Sequence, residues 1–183
     1  MALPWRVVWV TGASTGIGAE ICKQLAAEGI AVAASARNAE ALNALGKGVH
    51  AFPLDVTDEA AVAKTFHAIE TKLGPIDLVI AGAGTFTPNN ASDMRVSLFK
   101  QMYEVNYLGV IYVLFVVLPV FRARKAGHVS WIASVAGYRG LPGAAAYGAT
   151  KAALINLAES LKPQLDTEGV KISVINPGFV RTP

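Results

Sequence analysis

The sequence predicts an α/β fold, a doubly wound parallel sheet of six strands with helices on both faces. Three observations lead there. Six short, near-continuous apolar runs recur along the chain, as strands buried on both faces require. Helix-like stretches bounded by turn signals separate them, and such alternation closes into right-handed crossovers. Finally, 53% of the 183 residues are apolar and only 16% charged, against about 25% charged in ordinary globular chains.

The elements follow in order. Residues 5–11, WRVVWVT, read as a buried strand. A glycine-rich turn then opens a helix over about 17–28, with Ile21, Leu25 and the alanines on its packed side and Gly29 at its end. Residues 30–36 are a second strand, and a short helix after Asn38 stops at Gly46. Residues 48–56 read as the third strand. Asp58 caps a helix reaching about Leu73, where Gly74-Pro75 ends it. Residues 76–84 form a fourth strand that runs into a second glycine turn. A loop from Thr85 to about Asp93 leads into a long helical region ending near Lys125. Residues 128–134 are the fifth strand. After a Gly/Pro-rich loop to Ala146, a helix covers about 147–166, and Pro163, which supplies no N–H, is expected to kink or shorten its last turn. Residues 170–178 are the sixth strand.

Composition excludes several functions. The net charge is only +3 and no run of like charges accompanies it, which argues against nucleic-acid binding. A single cysteine, Cys22, excludes an internal disulfide framework and a Cys-based zinc site, and fits a reducing, cytoplasmic setting. His50, His67 and His128 fall on separate elements without ligand spacing, so no metal site is expected. The first apolar run is short and contains Arg6, unlike a signal peptide. Residues 105–121 are mostly apolar but fall short of the ~20 that span a bilayer, with Asn106 and Gly109 at one end and Pro119 at the other, and read as a core or interface helix with no membrane span. Arg122, Arg124 and Lys125 after it suit a solvated helix C-terminus.

Two motifs carry chemistry. TGASTGIG, Thr11 to Gly18, follows a strand and opens a helix. A phosphate there needs backbone N–H groups, a helix N-terminus and no obstructing side chains. Gly12 would permit the tight turn, Gly16 the close backbone approach and Gly18 the packing of helix on strand. A glycine turn without a ligand is the open alternative. In YGATK, Tyr147 and Lys151 are one helical turn apart and share a face. A phenol with a pKa near 10 is a poor base at neutral pH, and a nearby ammonium favours the phenolate. An ordinary amphipathic pair would look the same. Ser134, at the end of the fifth strand, is either a hydroxyl donor to a ligand or a turn cap. Asn106, in the long helix, is either functional or a backbone-bonding residue that bends the helix.

The spacing T-G-x-x-x-G-x-G departs from the usual G-x-G-x-x-G and resembles that of the short-chain dehydrogenase/reductase family. Asp55, the turn after the fourth strand, Asn106, Ser134, YGATK and NPGFVRT (176–182) follow in the family's order, each at its proper strand end. The resemblance implies one Rossmann-type oxidoreductase domain over residues 1–183, transferring hydride between a nicotinamide and a carbonyl or secondary alcohol. By that resemblance Ser134, Tyr147, Lys151 and Asn106 are catalytic. Gly12, Ser14, Thr15, Gly16, Ile17, Gly18, Arg37, Asp55, Val56, Gly84, Lys151, Pro177, Gly178, Val180 and Thr182 would bind the cofactor. Ala36 stands where the family's ribose-binding acid would be and Arg37 follows it, which favours NADP(H) over NAD(H). Residues 85–95 and 138–146 would line the pocket of an uncharged, partly apolar small-molecule substrate. Helices 105–121 and 152–161 would form a homodimer or homotetramer interface. There are two departures. Ala81-Gly82-Ala83-Gly84 replaces the family's Asn-Asn-Ala-Gly, with an expected effect on stability. The sequence also stops at Pro183, before the family's substrate flap and last strand, so the domain reads as C-terminally incomplete. A nucleotide-binding scaffold or sensor without turnover is the competing expectation.

Overall fold

The computed structural model describes residues 3–181, Asp93 by its backbone alone. Strands β1 (Val7–Thr11), β2 (Ala31–Ser35), β3 (Val49–Ala51), β4 (Leu78–Ala81), β5 (Gly127–Ile132) and β6 (Val170–Ile175) form one sheet in the order β3-β2-β1-β4-β5-β6. All five pairings are parallel. Helices α1 (Gly16–Ala27), α2 (Ala39–Asn43), α3 (Glu59–Leu73), α4 (Val96–Tyr103), α5 (Gly109–Arg124) and α6 (Ala145–Thr167) make the crossovers. The doubly wound sheet is the one the sequence implies.

Alternating side chains divide the core in two. Trp9, Val79, Val129 and Trp131 face α3, α5 and α6, where Phe66, Val113, Phe121 and Leu154 close over them. Val8, Val10, Val32 and Ile80 face the other way, onto Cys22 of α1 and Leu42 of α2. Burial pushes the Cys22 thiol up to about 12, so it behaves as a small apolar group. Both fully buried indoles satisfy their N–H: Trp9 Nε1 donates to Ser35 Oγ (3.0 Å) and Trp131 Nε1 to the Leu154 carbonyl (3.0 Å). The expected helix starts are capped, with Asn38 Oδ1 accepting from Ala41 N (3.0 Å) and Asp58 Oδ1 from Ala61 N (2.9 Å).

Several boundaries differ from the sequence reading. β3 is much shorter than residues 48–56, because Pro53 has no N–H for a ladder, although Phe52 N and Leu54 N still donate to Ala34 and Ala36. β4, β5 and β6 stop at Ala81, Ile132 and Ile175, so the residues singled out beyond them lie in turns rather than strands. α6 is not shortened by Pro163. Buried Leu165 anchors the last turn and Lys162 pairs with Asp166 (2.8 Å), while the carbonyl orphaned by proline lies on an exposed stretch. The long helical region is continuous from Val96 to Arg124, with a π-helical turn, Glu104–Leu108, joining α4 to α5. At 29 residues it is long and apolar enough to cross a membrane, unlike the stretch 105–121 considered alone. One side of it carries Val110, Val113, Leu114, Val117 and Phe121 into the core.

The Trp9–Ser35 bond gives a direct test of the core. Ser35→Ala leaves a buried indole N–H without a partner and should cost about 1–3 kcal/mol, measured by urea denaturation; a change below 0.5 kcal/mol, roughly the size of surface substitutions, would show the bond to be dispensable.

Candidate active site

The strand order reverses between β1 and β4, which opens a crevice at their C-terminal ends. Each strand runs into a glycine turn, and the two turns are pressed together. Gly12 has φ +72°, and a Cβ on it would lie 2.6 Å from Ala83 N and Gly82 O. A Cβ on Gly18 would lie 2.3 Å from the Gly12 carbonyl, so Gly18 packs α1 against the turn itself. Gly16, with φ +56°, starts α1 after Thr15, whose side chain makes no capping bond. The first N–H groups of α1 therefore remain available to an anion. Thr11 Oγ1 accepts from Gly82 N (3.2 Å) and Ala83 N (3.3 Å). This threonine ties down the second turn.

Both turns line a cleft of about 820 Å³. It brings together ten of the expected cofactor-binding residues: Gly12, Ser14, Thr15, Gly16, Ile17, Gly18, Arg37, Asp55, Val56 and Gly84. Asp55 Oδ1 accepts from Thr57 N (3.0 Å) and Thr57 Oγ1 (2.8 Å). The Thr57 backbone bond, then its hydroxyl and the charge of Arg37, hold the Asp55 carboxyl below its ordinary value. Asp55 thus shapes its own turn. Val180 lies elsewhere, on a neighbouring groove of about 670 Å³ along α1 that shares only Ser14–Ile17 with the cleft. Pro177 is joined to the Ser134 segment, its carbonyl accepting from Val135 N (3.1 Å), and Gly178 is exposed beyond it. Thr182 lies outside the described residues.

The second half of the site is built on α6. Lys151 is only 4% exposed and donates from Nζ to the Ile132 carbonyl (2.7 Å). Its ammonium sits 5.4 Å from the Tyr147 ring centroid. Burial alone lowers it to about 8. Ser134 Oγ accepts from Ala136 N (3.1 Å), while among the described residues nothing accepts its proton. Small residues let the Ser134 segment lie on α6, since a Cβ on Gly137 would be 2.8 Å from the Lys151 carbonyl carbon and one on Gly148 3.0 Å from Ala136 O. Asn106 is fully buried in the π-helical turn, a distortion that often marks functional positions. Its Oδ1 accepts from Thr85 N (2.7 Å) and its Nδ2 donates to Thr85 O (3.0 Å) and Thr150 Oγ1 (3.2 Å). Thr150 Oγ1 in turn donates to the Tyr147 carbonyl (2.7 Å). At Gly84 the two halves meet, because a Cβ there would lie 3.4 Å from Asn106 Oδ1 and 3.7 Å from Lys151 Nζ.

The network contains residues the sequence reading missed. Thr11, Thr85 and Thr150 bond through groups that carry no local pattern, and Asn89 joins the site from a loop. Thr11, the first residue of TGASTGIG, and Thr150, inside YGATK, lay within recognised motifs, and Thr85 and Asn89 fell in the expected pocket segment 85–95, but none of their bonds could be read there.

The model of the short chain dehydrogenase family matches residues 6–183. The chain belongs to that family. An uncharacterized oxidoreductase of Myxococcus xanthus is 37% identical over 187 residues, covering 98% of this chain and 74% of that relative. Serine dehydrogenase from Escherichia coli superposes with a TM-score of 0.89 at 31% identity, over 95% of this chain and 83% of that one. A variant of actinorhodin polyketide ketoreductase with NADPH superposes with a TM-score of 0.92 at 30% identity, over 100% of this chain and 74% of that one. The six-stranded sheet and its helices are thus those of a short chain dehydrogenase, and the chain is an oxidoreductase of that type.

Burial of Lys151 has a consequence for this short chain dehydrogenase that titration can check. Below pH 8 the folded protein carries the cost of a buried ammonium; between about 8 and the ordinary lysine value the folded state holds fewer protons than the unfolded, so stability rises with pH. Relative to Lys151→Met, the nucleotide-free protein should gain roughly 3 kcal/mol across that window in denaturant titrations. A flat difference would contradict the buried ammonium.

Proposed function

We propose that this chain is one dinucleotide-binding oxidoreductase domain that uses NADP(H) to interconvert a carbonyl and a secondary alcohol, with Tyr147 as the proton donor and acceptor. A single arrangement carries the reading. Tyr147 and Lys151 stand on the first two turns of α6, the ammonium buried beside the phenol ring, where Gly84 opens the end of the nucleotide cleft.

The residues present fit the cofactor. Gly12, Gly16 and Gly18 leave no side chain between the α1 N-terminus and a pyrophosphate. Lys151 has three N–H donors and gives one to Ile132, which leaves others for ribose hydroxyls. Ser14, Thr15 and Ile17 line the same end of the cleft, and Val56 and Gly84 its floor. Arg37, exposed at the cleft mouth after Ala36, would pair with a 2′-phosphate, and no carboxylate stands at Ala36 to favour a 2′-hydroxyl. Asp55 would accept from the adenine amino group. Pro177 and Gly178, beside the Ser134 segment, would approach the carboxamide end. NADP(H), when bound, supplies the hydride exchanged with the substrate carbon.

The chain's own groups handle the proton. In reduction the Tyr147 O–H donates to the substrate oxygen, and in oxidation the phenolate takes the alcohol proton. Lys151 would hold its ammonium beside the phenol ring, 5.4 Å from the centroid. The Ser134 O–H, free to donate, holds the substrate oxygen in reach of the phenol. Asn106 supports the relay from behind, clamping Thr85 and, through Thr150, the Tyr147 backbone. Exposed Phe86, Met94, Tyr138 and Leu141 around this end suit an uncharged, partly apolar substrate. The apolar outer side of α5, where Phe115 is 68% exposed, suits a homodimer or homotetramer built on α5 and α6, with the long helix facing another subunit rather than lipid. A cytoplasmic setting accords with both.

Binding of NADPH and NADH, followed by turnover on a carbonyl panel, tests the proposal. Tyr147→Phe should bind NADPH normally and lose turnover by about 10²–10⁴-fold. NADPH binding with no turnover on any substrate would instead favour a scaffold, and failure to bind either nucleotide would refute both. Arg37→Asp should weaken NADPH much more than NADH; equal weakening would remove Arg37 from cofactor choice.

A further inference from the structure

α6 carries the phenol in its first turn, yet its own N-terminus offers nothing to hold that turn. The residue at the cap position is Ala144, which has no polar side chain, and the first bond inside the helix runs from Gly148 N to Ala144 O (2.7 Å). The amides before it need an outside acceptor. One is supplied from far away in sequence: Asn89, in the loop after β4, accepts from Ala146 N through Oδ1 (3.3 Å). Asn89 N also donates to Gly143 O (2.9 Å), and the residue forms a parallel bridge with Ala144. It is 4% exposed, and its Nδ2 is buried with no partner among the described residues. The other end of the loop is clamped by Asn106 through both backbone groups of Thr85. Between the clamps, Phe86 meets the Tyr147 ring edge-on, with centroids 5.2 Å apart. Lys151, a turn further along, is fixed independently through Ile132.

We propose that Asn89 is a positioning residue for the Tyr147 phenol, capping the helix turn that carries Tyr147 and strapping the Phe86 loop across the ring. This rests on Tyr147 as the proton-transfer group. Without the cap the first turn of α6 frays while Lys151 stays in place, so the phenol drifts relative to the ammonium and the substrate oxygen. A displacement of that kind lowers turnover more than it lowers binding.

The test compares Asn89→Ala, which removes the cap, with Asn89→Asp, which keeps an acceptor oxygen, suits a helix N-terminus and removes the unpartnered donor. In the full chain, Asn89→Ala should lower kcat by about tenfold or more while the NADPH Kd and the substrate KM stay within about threefold, and Asn89→Asp should restore most of kcat. A second readout needs no turnover. With 3-fluorotyrosine incorporated, the ¹⁹F resonance absent from Tyr147→Phe reports this ring; it should move towards the free-tyrosine position in Asn89→Ala and remain in place in Asn89→Asp. If Asn89→Ala does not fold, Asn89→Ser, whose shorter side chain cannot reach Ala146 N, takes its place. An unmoved resonance with unchanged kcat overturns the proposal, as does equal loss of NADPH binding in both variants. If Tyr147→Phe keeps full turnover, the role of the phenol fails, and the resonance still decides whether Asn89 holds the ring.

Discussion

Everything at this site depends on two backbone turns touching at the point where the sheet reverses direction. Gly12 and Gly82-Ala83 approach so closely that a methyl group on Gly12 would overlap backbone, and Gly18 repeats the demand in the first turn of α1. Three consequences follow from that contact. It sets the separation of β1 and β4 at their ends, it aims the α1 N-terminus along the cleft, and it leaves Gly84 open beside Lys151 and Asn106. Glycine at these places is a steric requirement, because backbone stands where a Cβ would be and nothing flexible can yield.

The cleft has two kinds of wall. On the side of the glycine turns the groups are backbone amides and exposed side chains, open to a charged ligand. On the side of α6 the groups are buried and already bonded to one another: Asn106 to Thr85 and Thr150, Thr150 to Tyr147, Lys151 to Ile132. That prior bonding fixes where the phenol and ammonium stand before any ligand arrives, the condition under which a proton can be passed without rearranging the protein. The π-helical turn belongs to the same logic. Its extra residue per turn sets Asn106 fully into the interior, where an unbroken α-helix would have continued with its ordinary repeat.

Much of this was legible in the sequence. The parallel sheet followed from six apolar runs, and the Asp58 cap and the helix start after Asn38 were readable from residue type and position. The glycine motif and YGATK marked the ends of the site because their chemistry is local, within a turn or two. What stayed hidden was non-local. Thr11 reaches across to a turn 71 residues on, and Asn89 reaches 57 residues to α6, pairings that no periodicity encodes. Strand ends were overrun for a physical reason as well: Pro53 and the glycine turns continue the apolar character after the ladder has stopped. The π-helical turn has no sequence sign of its own, since Val105 and Tyr107 suit an α-helix equally well.

Cys22 offers the last consequence. It lies on α1, fully enclosed between that helix and the sheet, and burial keeps its thiol protonated far above neutral pH. A thiol reagent can reach it when α1 lifts from the sheet and from Leu42 of α2, and the start of the same helix forms one wall of the cleft. The chain therefore carries its own chemical clock for the opening of this end of the cleft. Its labelling rate measures how often that end of the molecule comes apart, and a ligand seated on the α1 N-terminus would slow the clock.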